Sequence, residues 1–153
     1  MNWTRLIVFL VLNFGALALG GFFTNAGVNS DWYQNMNQAP WTPPGWVFGA
    51  AWTFIMICFA FFMTYALDVA RDKSMLLSLY AVQWLLNVGW NPVFFYFREV
   101  LLGLMVISAL TVLVYYLLFK FRGELKGKAL LILPYVLWLT IATSLNAYIY
   151  LNN

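Results

Sequence analysis

Three amides offer the most defined chemistry in the sequence. Gln83, Asn87 and Asn91 stand at i, i+4 and i+8 of an apolar run, so on a helix they share one face. Inside a membrane such side chains are costly unless they meet partners or line a cavity. The same spacing therefore serves either interhelical glue or the polar wall of a ligand site. Pro92 follows directly; it removes the bond to the Val88 carbonyl and predicts a kink, leaving an acceptor beside Asn91 that a cavity can satisfy. A second stripe, Pro134, Trp138, Ala142 and Asn146, drifts only about 40° per four-residue step and sets a large indole beside small Ala142 and Thr143. Gly45, Gly49 and Trp52 combine close backbone approach with another indole. Gly45-x-x-x-Gly49 and Ala16-x-x-x-Gly20 fit helix packing, within the chain or in a homodimer.

Much other chemistry is excluded. The chain has no histidine and a single cysteine, Cys58, which removes the commonest metal ligand, proton shuttle and triad base and any internal disulfide. No acid or base falls in the middle of an apolar stretch, so a charged relay for ions or protons is lacking. Phosphate-binding loops, zinc-protease pairs and serine–histidine arrangements are absent too. No metal site is expected.

The elements that must position these residues follow from composition. Of 153 residues 64% are hydrophobic and 8% charged, against about 45–50% and 25% in soluble domains. Thirteen charges cannot cover a globule in water; the net charge of +3 forms no basic patch for nucleic acid. Five apolar stretches, 5–23, 46–67, 74–97, 100–119 and 129–151, reach the roughly 20 residues a membrane helix needs. An all-α membrane protein is expected: one domain, 1–153, a bundle of five transmembrane helices with a long structured first loop. Ala16-Leu17-Ala18 resembles a signal cleavage site, but the apolar run continues past it, which favours an uncleaved first helix.

Orientation follows from the basic residues. Arg5, Arg71, Lys73, Lys120, Arg122, Lys126 and Lys128 fall on one side and only Arg98 on the other. This bias places the N-terminus in the cytoplasm and the C-terminus outside. The first loop, 24–45, then faces out. It carries one charge, Asp31, beside Trp32, Tyr33, Trp41 and three prolines. Trp41-Thr42-Pro43-Pro44-Gly45-Trp46 is stiff, since each proline fixes its own φ and restricts the residue before it. A stiff aromatic loop serves as an interfacial anchor or as a lid over a cavity, and its clustering and length favour a lid.

At these residues the chain resembles the TspO/MBR family of tryptophan-rich sensory and translocator proteins. Trp32-Tyr33 with Trp41-Thr42-Pro43-Pro44 is similar to that family's first-loop signature, and Trp52-Thr53 to the start of its second helix. Gln83, Asn87, Trp90, Phe94 and Phe95 match its third helix; Pro134, Tyr135, Trp138, Ala142, Leu145 and Asn146 match its fifth. The resemblance implies a five-helix bundle, often dimeric, that binds porphyrin, haem and hydrophobic small molecules beneath the first loop. It also implies a regulatory or sensory role in tetrapyrrole handling, with no cofactor required beyond the porphyrin or haem ligand.

Carried over residue by residue, Tyr33 caps the pocket, Trp52 and Trp138 wall it, and Gln83 and Asn87 offer hydrogen bonds. Phe94 packs on the ligand and Ala142 sets the clearance. The implied ligand set also takes in Trp32, Trp41, Pro43, Pro44, Met56, Trp90, Asn91 and Asn146. Trp52 and Trp138 match the tryptophans credited with light-driven porphyrin breakdown in some members, so such an enzyme is the alternative, with these two as catalytic residues. A transporter would need two access states, which no pair of broken helices suggests. Three departures stand out: Gln38-Ala39 replaces a Lys-Pro pair and removes a lid cation, Met56 replaces an aromatic, and the sterol-type motif at the end of the fifth helix is missing. Val93-x-x-Tyr96-x-Arg98 fits a sterol pattern only formally, so sterol binding is not expected.

Overall fold

Local sequence signals begin each helix in turn. The computed structural model describes residues 1–153 and contains helices and turns alone. Asn2 accepts from the Arg5 amide to open α1, Trp3–Val28. Ser30 accepts from the Tyr33 amide to open the short α2, Asp31–Gln34, inside the first loop. Pro44 precedes α3, Gly45–Val69. Asp72 accepts from the Met75 amide to open α4, Lys73–Asn91. These caps satisfy amide donors that a helix start leaves unpaired. α5 spans Val100–Leu125, and α6 spans Leu133–Asn152.

The five expected spans are present with shifted ends. α1 continues to Val28, so the first loop starts later than residue 24 and contains the turn of helix α2. α5 runs past residue 119 to Leu125, because its basic last turns extend beyond the apolar stretch. Residues Lys126–Ile132 form a 3-10 turn, so α6 begins at Leu133 rather than 129, with Pro134 in its first turn, where a missing amide is tolerated. At Pro92 the chain winds into a π turn, Pro92–Tyr96, closed by the Phe97 amide on the Pro92 carbonyl at 2.9 Å. Losing one α-helical bond there widens the helix by a residue rather than ending it.

The long helices close a ring. α1 packs on α3 and α4, α5 on α4 and α6, and α6 on α3. α1 and α3 run antiparallel although the long first loop joins them: Arg5 at the start of α1 meets Asp68 at the end of α3 in a 2.9 Å ion pair. Phe59, Ala60, Phe62, Met63, Val114, Leu117 and Leu139 fill the centre. Val11, Met105, Val112 and Leu137 face outward, a surface suited to hydrocarbon. Trp3–Val28, Gly45–Val69 and the segment Val100–Asn152, which folds as two helices, are long and apolar enough to cross a membrane. α4 is the least apolar long helix, and it is the one that carries the three amides.

The small residues divide by use. Ala16 and Gly20 are buried within the chain, Gly20 against the Asn91 side chain, so that stripe is not open to a second copy. Gly45 and Gly49 touch nothing that a Cβ would meet within 4 Å, and so close no intramolecular helix contact. Gly27 is the tightest site, since a Cβ there would collide with the Phe95 side chain. Gly27→Ala should therefore lower stability in detergent by about 1–3 kcal/mol. Gly49→Ala should leave it unchanged or raise it by up to about 1 kcal/mol. Thermal unfolding of the two variants side by side checks both signs.

Candidate functional site

The amide face of α4 points into the bundle. Gln83, Asn87 and Asn91 are 2%, 7% and 9% exposed. The outer two are engaged. Gln83 Nε2 donates to the Tyr135 hydroxyl at 2.6 Å, tying α4 to α6. Asn91 Nδ2 donates to the Asn87 carbonyl at 2.9 Å, and the Thr24 hydroxyl lies 2.6 Å from Asn91 Oδ1, tying α4 to α1. The Asn87 side chain between them enters no hydrogen bond with the protein. Two further polar atoms are fully buried without a partner: Gln83 Oε1 and Trp138 Nε1.

Aromatic side chains surround these atoms in two groups. Between α3 and α6, Trp52 packs edge-on to Tyr135 at 5.9 Å and Phe48 edge-on to Trp138 at 5.2 Å, an alternating ladder along antiparallel helices. Nearer the loop, Trp90 stacks on Phe94 at 5.7 Å, and Trp32 and Tyr33 of α2 meet Phe94 from above at 5.7 and 6.4 Å. The Trp90 indole donates to Asn146 Oδ1 at 3.3 Å, and Asn146 Nδ2 donates to the Ala142 carbonyl. Phe94 is almost wholly buried, so rings fill the space beneath α2. Burial also raises the Tyr33 phenol above its ordinary pKa, keeping it a neutral hydroxyl.

The rest of the first loop is strapped to α6. Trp41 Nε1 donates to Ser144 Oγ at 3.1 Å, and its ring lies edge-on to Tyr148. The Asn37 amide donates to Asn153 Oδ1 at 2.8 Å, and its side chain donates to the Asn152 carbonyl. Pro43 is half-buried and Pro44 exposed at the start of α3. Met56 is buried in the main core, and its carbonyl accepts from Asn13 Nδ2 at 2.9 Å. The structure thus gathers Gln83, Trp52 and Trp138 around Tyr135 and Phe48, and Trp32, Tyr33, Trp90, Phe94 and Asn146 beneath the loop. Trp41, Pro43 and Pro44 lie apart from both groups. Two open clefts, lined by residues such as Arg71, Lys120, Glu124 and Lys128, sit at the opposite, charged end and contain none of these residues.

Three polar side chains in the interior network escaped sequence reasoning. Tyr80 donates to Asn13 Oδ1 at 2.7 Å, and the Trp84 indole to the Leu12 carbonyl at 2.9 Å. Asn13 was the available signal, as the one amide in the middle of α1, and Tyr80 sits one turn before Gln83. These bonds join α1, α3 and α4 and leave no free group, so their role is cohesion. Tyr80→Phe should lower stability by about 0.6 kcal/mol, with about 1.7 as the upper bound for membrane side-chain bonds. Asn87→Leu, which breaks no internal bond, should leave the unfolding midpoint of the empty protein unchanged.

Comparison with known proteins agrees with this architecture. The profile of the TspO/MBR family matches residues 7–151. A tryptophan-rich sensory protein of Cereibacter sphaeroides is 33% identical over 149 residues, covering 95% of this chain and 89% of that protein. The tryptophan-rich protein TspO of Archaeoglobus fulgidus is 32% identical over 154 residues, covering 100% and 99%. The human translocator protein is 28% identical over 151 residues, covering 90% and 86%. The chain is an integral membrane protein of five long helices, and it belongs to the TspO/MBR family.

Proposed function

We propose that this protein binds a porphyrin or haem between the α2 loop and the α4 amide face, and that this binding serves a regulatory or sensory output. The observation that carries the reading is the set of polar atoms left over inside the bundle. Gln83 Oε1 and Trp138 Nε1 are buried without partners, and the Asn87 side-chain amide, one turn along α4 from Gln83 and 7% exposed, enters no hydrogen bond with the protein. In hydrocarbon an unpaired polar group is costly, and a few convergent polar groups in an aromatic surround are the usual make-up of a ligand site. The leftover set comprises an acceptor, a donor and a group that is both, which suits a flat heteroaromatic ring with polar edges.

Phe94 and Trp90 occupy the space such a ring would take. Binding therefore requires Trp32 and Tyr33 to swing with α2, and Phe94 to turn aside. α2 can move because the loop's hydrogen-bond straps to α6, Asn37 and Trp41, both lie C-terminal to it. The same proposal sets the N-terminus in the cytoplasm and the C-terminus outside, from the basic bias, and uses the open Gly45–Gly49 face of α3 as a homodimer seam.

A second reading is light-driven porphyrin breakdown by electron transfer from an indole. It is favoured by one observation: Trp138 is buried at 7% exposure with an unclaimed N–H.

Titration with protoporphyrin IX in darkness, followed by tryptophan quenching, tests binding. Asn87→Leu should weaken affinity about 5- to 10-fold, the loss of one good hydrogen bond, with the fold intact. Unchanged affinity would return Asn87 to a structural role. Under light, Trp138→Phe should abolish bleaching if the enzyme reading holds, a loss far beyond the several-fold fall in dark affinity expected from removing its N–H. A wild-type rate no faster than free tryptophan in micelles would dismiss that reading. A reporter at the C-terminus should be reached by protease from outside; protection there would reverse the assigned orientation.

A further inference from the structure

The geometry points to Arg98 as the group that receives a carboxylate of the ligand at the mouth of the site. This rests on the binding reading above and narrows it to acidic ring compounds. Arg98 is the one cation at the loop end of the bundle, with Asp31 and Glu99 as the other charges there. Its backbone is left-handed, with φ of 59°, which a side chain other than glycine rarely adopts. The cause is the π turn before it. The Phe97 amide bonds back to Pro92, the Glu99 amide to Val93 at 3.1 Å, and the Val100 amide to the Arg98 carbonyl at 3.1 Å. These three bonds force a tight reversal between α4 and α5, and strain of this kind persists only where the surroundings over-determine it.

That reversal aims the guanidinium back over the lid. Its Cζ lies 5.6 Å from the Trp32 ring centroid, and Trp32 in turn lies edge-on to Phe94. The guanidinium enters no salt bridge, the chain's one ion pair being Arg5 with Asp68 at the far end. A cation resting on the face of an indole keeps its own N–H edge free. That planar fork of donors matches a carboxylate with two parallel bonds. A flat ring lodged on Phe94 and Trp90 would leave acidic substituents at the water boundary, where Arg98 is placed and where Gln38 and Ala39 offer no charge.

The test compares protoporphyrin IX with its dimethyl ester, which keeps the ring and removes both acids. Dark affinities are measured for wild type, Arg98→Gln and Arg98→Lys, each checked for unfolding midpoint. Wild type should bind the diacid more tightly than the ester. Arg98→Gln should weaken the diacid about 3- to 10-fold, as for a partly exposed charged hydrogen bond, and leave the ester within about twofold. Arg98→Lys should recover part of the loss, keeping the charge without the fork. Equal losses for diacid and ester would make Arg98 only a prop for Trp32 and overturn the assignment, as would no loss for either. Failure of wild type to bind both compounds would overturn the binding reading itself, a result distinct from the other two.

Discussion

Everything in this bundle answers to one constraint: a polar group in hydrocarbon must find its partner inside the protein. Four side-chain to side-chain bonds of α4 help meet that demand between helices. Asn13 meets Tyr80, Thr24 meets Asn91, Gln83 meets Tyr135, and Trp90 meets Asn146. Two of them join α4 to its ring neighbour α1 and two reach across the bundle to α6, so the least apolar long helix is held by directed bonds on both sides. Against that background the unpaired Gln83 Oε1 and Trp138 Nε1 stand out. A chain that satisfies nearly all its buried polar atoms and leaves these within one aromatic surround is best explained by a ligand that completes the set.

The turn at Pro92 connects this interior to the surface. A proline amide cannot continue the α-helical ladder, and the π turn that results lets two consecutive residues, Phe94 and Phe95, both point inward. Phe95 fills the space that Gly27 leaves, and Phe94 closes the site under Trp32 and Tyr33. The same turn ends in the left-handed Arg98, whose guanidinium rests on the lid. One residue type thus shapes the floor, the plug and the mouth of the site.

The helices were legible because hydrophobic length and charge placement fix them: interruptions such as 68–73 and 120–128 can only be ends. The boundaries were less so. Asn25 and Ser30 gave no apolar signal, yet α1 runs on to Val28 because its last turns pack on Phe95 rather than on lipid. Of the candidate site, the amide row and the indoles of α3 and α6 could be seen from spacing. Which amide is glued and which is free could not, because that depends on Thr24 and Tyr135, distant in sequence. Nor could spacing reveal that Gly20 serves Asn91 while Gly49 serves nothing within the chain.

The central claim is that the unpaired polar atoms face the ligand, and the indole N–H of Trp138 reports on it most directly. With indole nitrogens labelled, the eight tryptophans give separate N–H resonances in detergent. On adding protoporphyrin IX in darkness, the Trp138 signal should move to the position of a hydrogen-bonded indole. The Trp84 signal, already bonded to the Leu12 carbonyl, should stay in place. A Trp138 resonance that remains where it was while porphyrin binds would contradict the account.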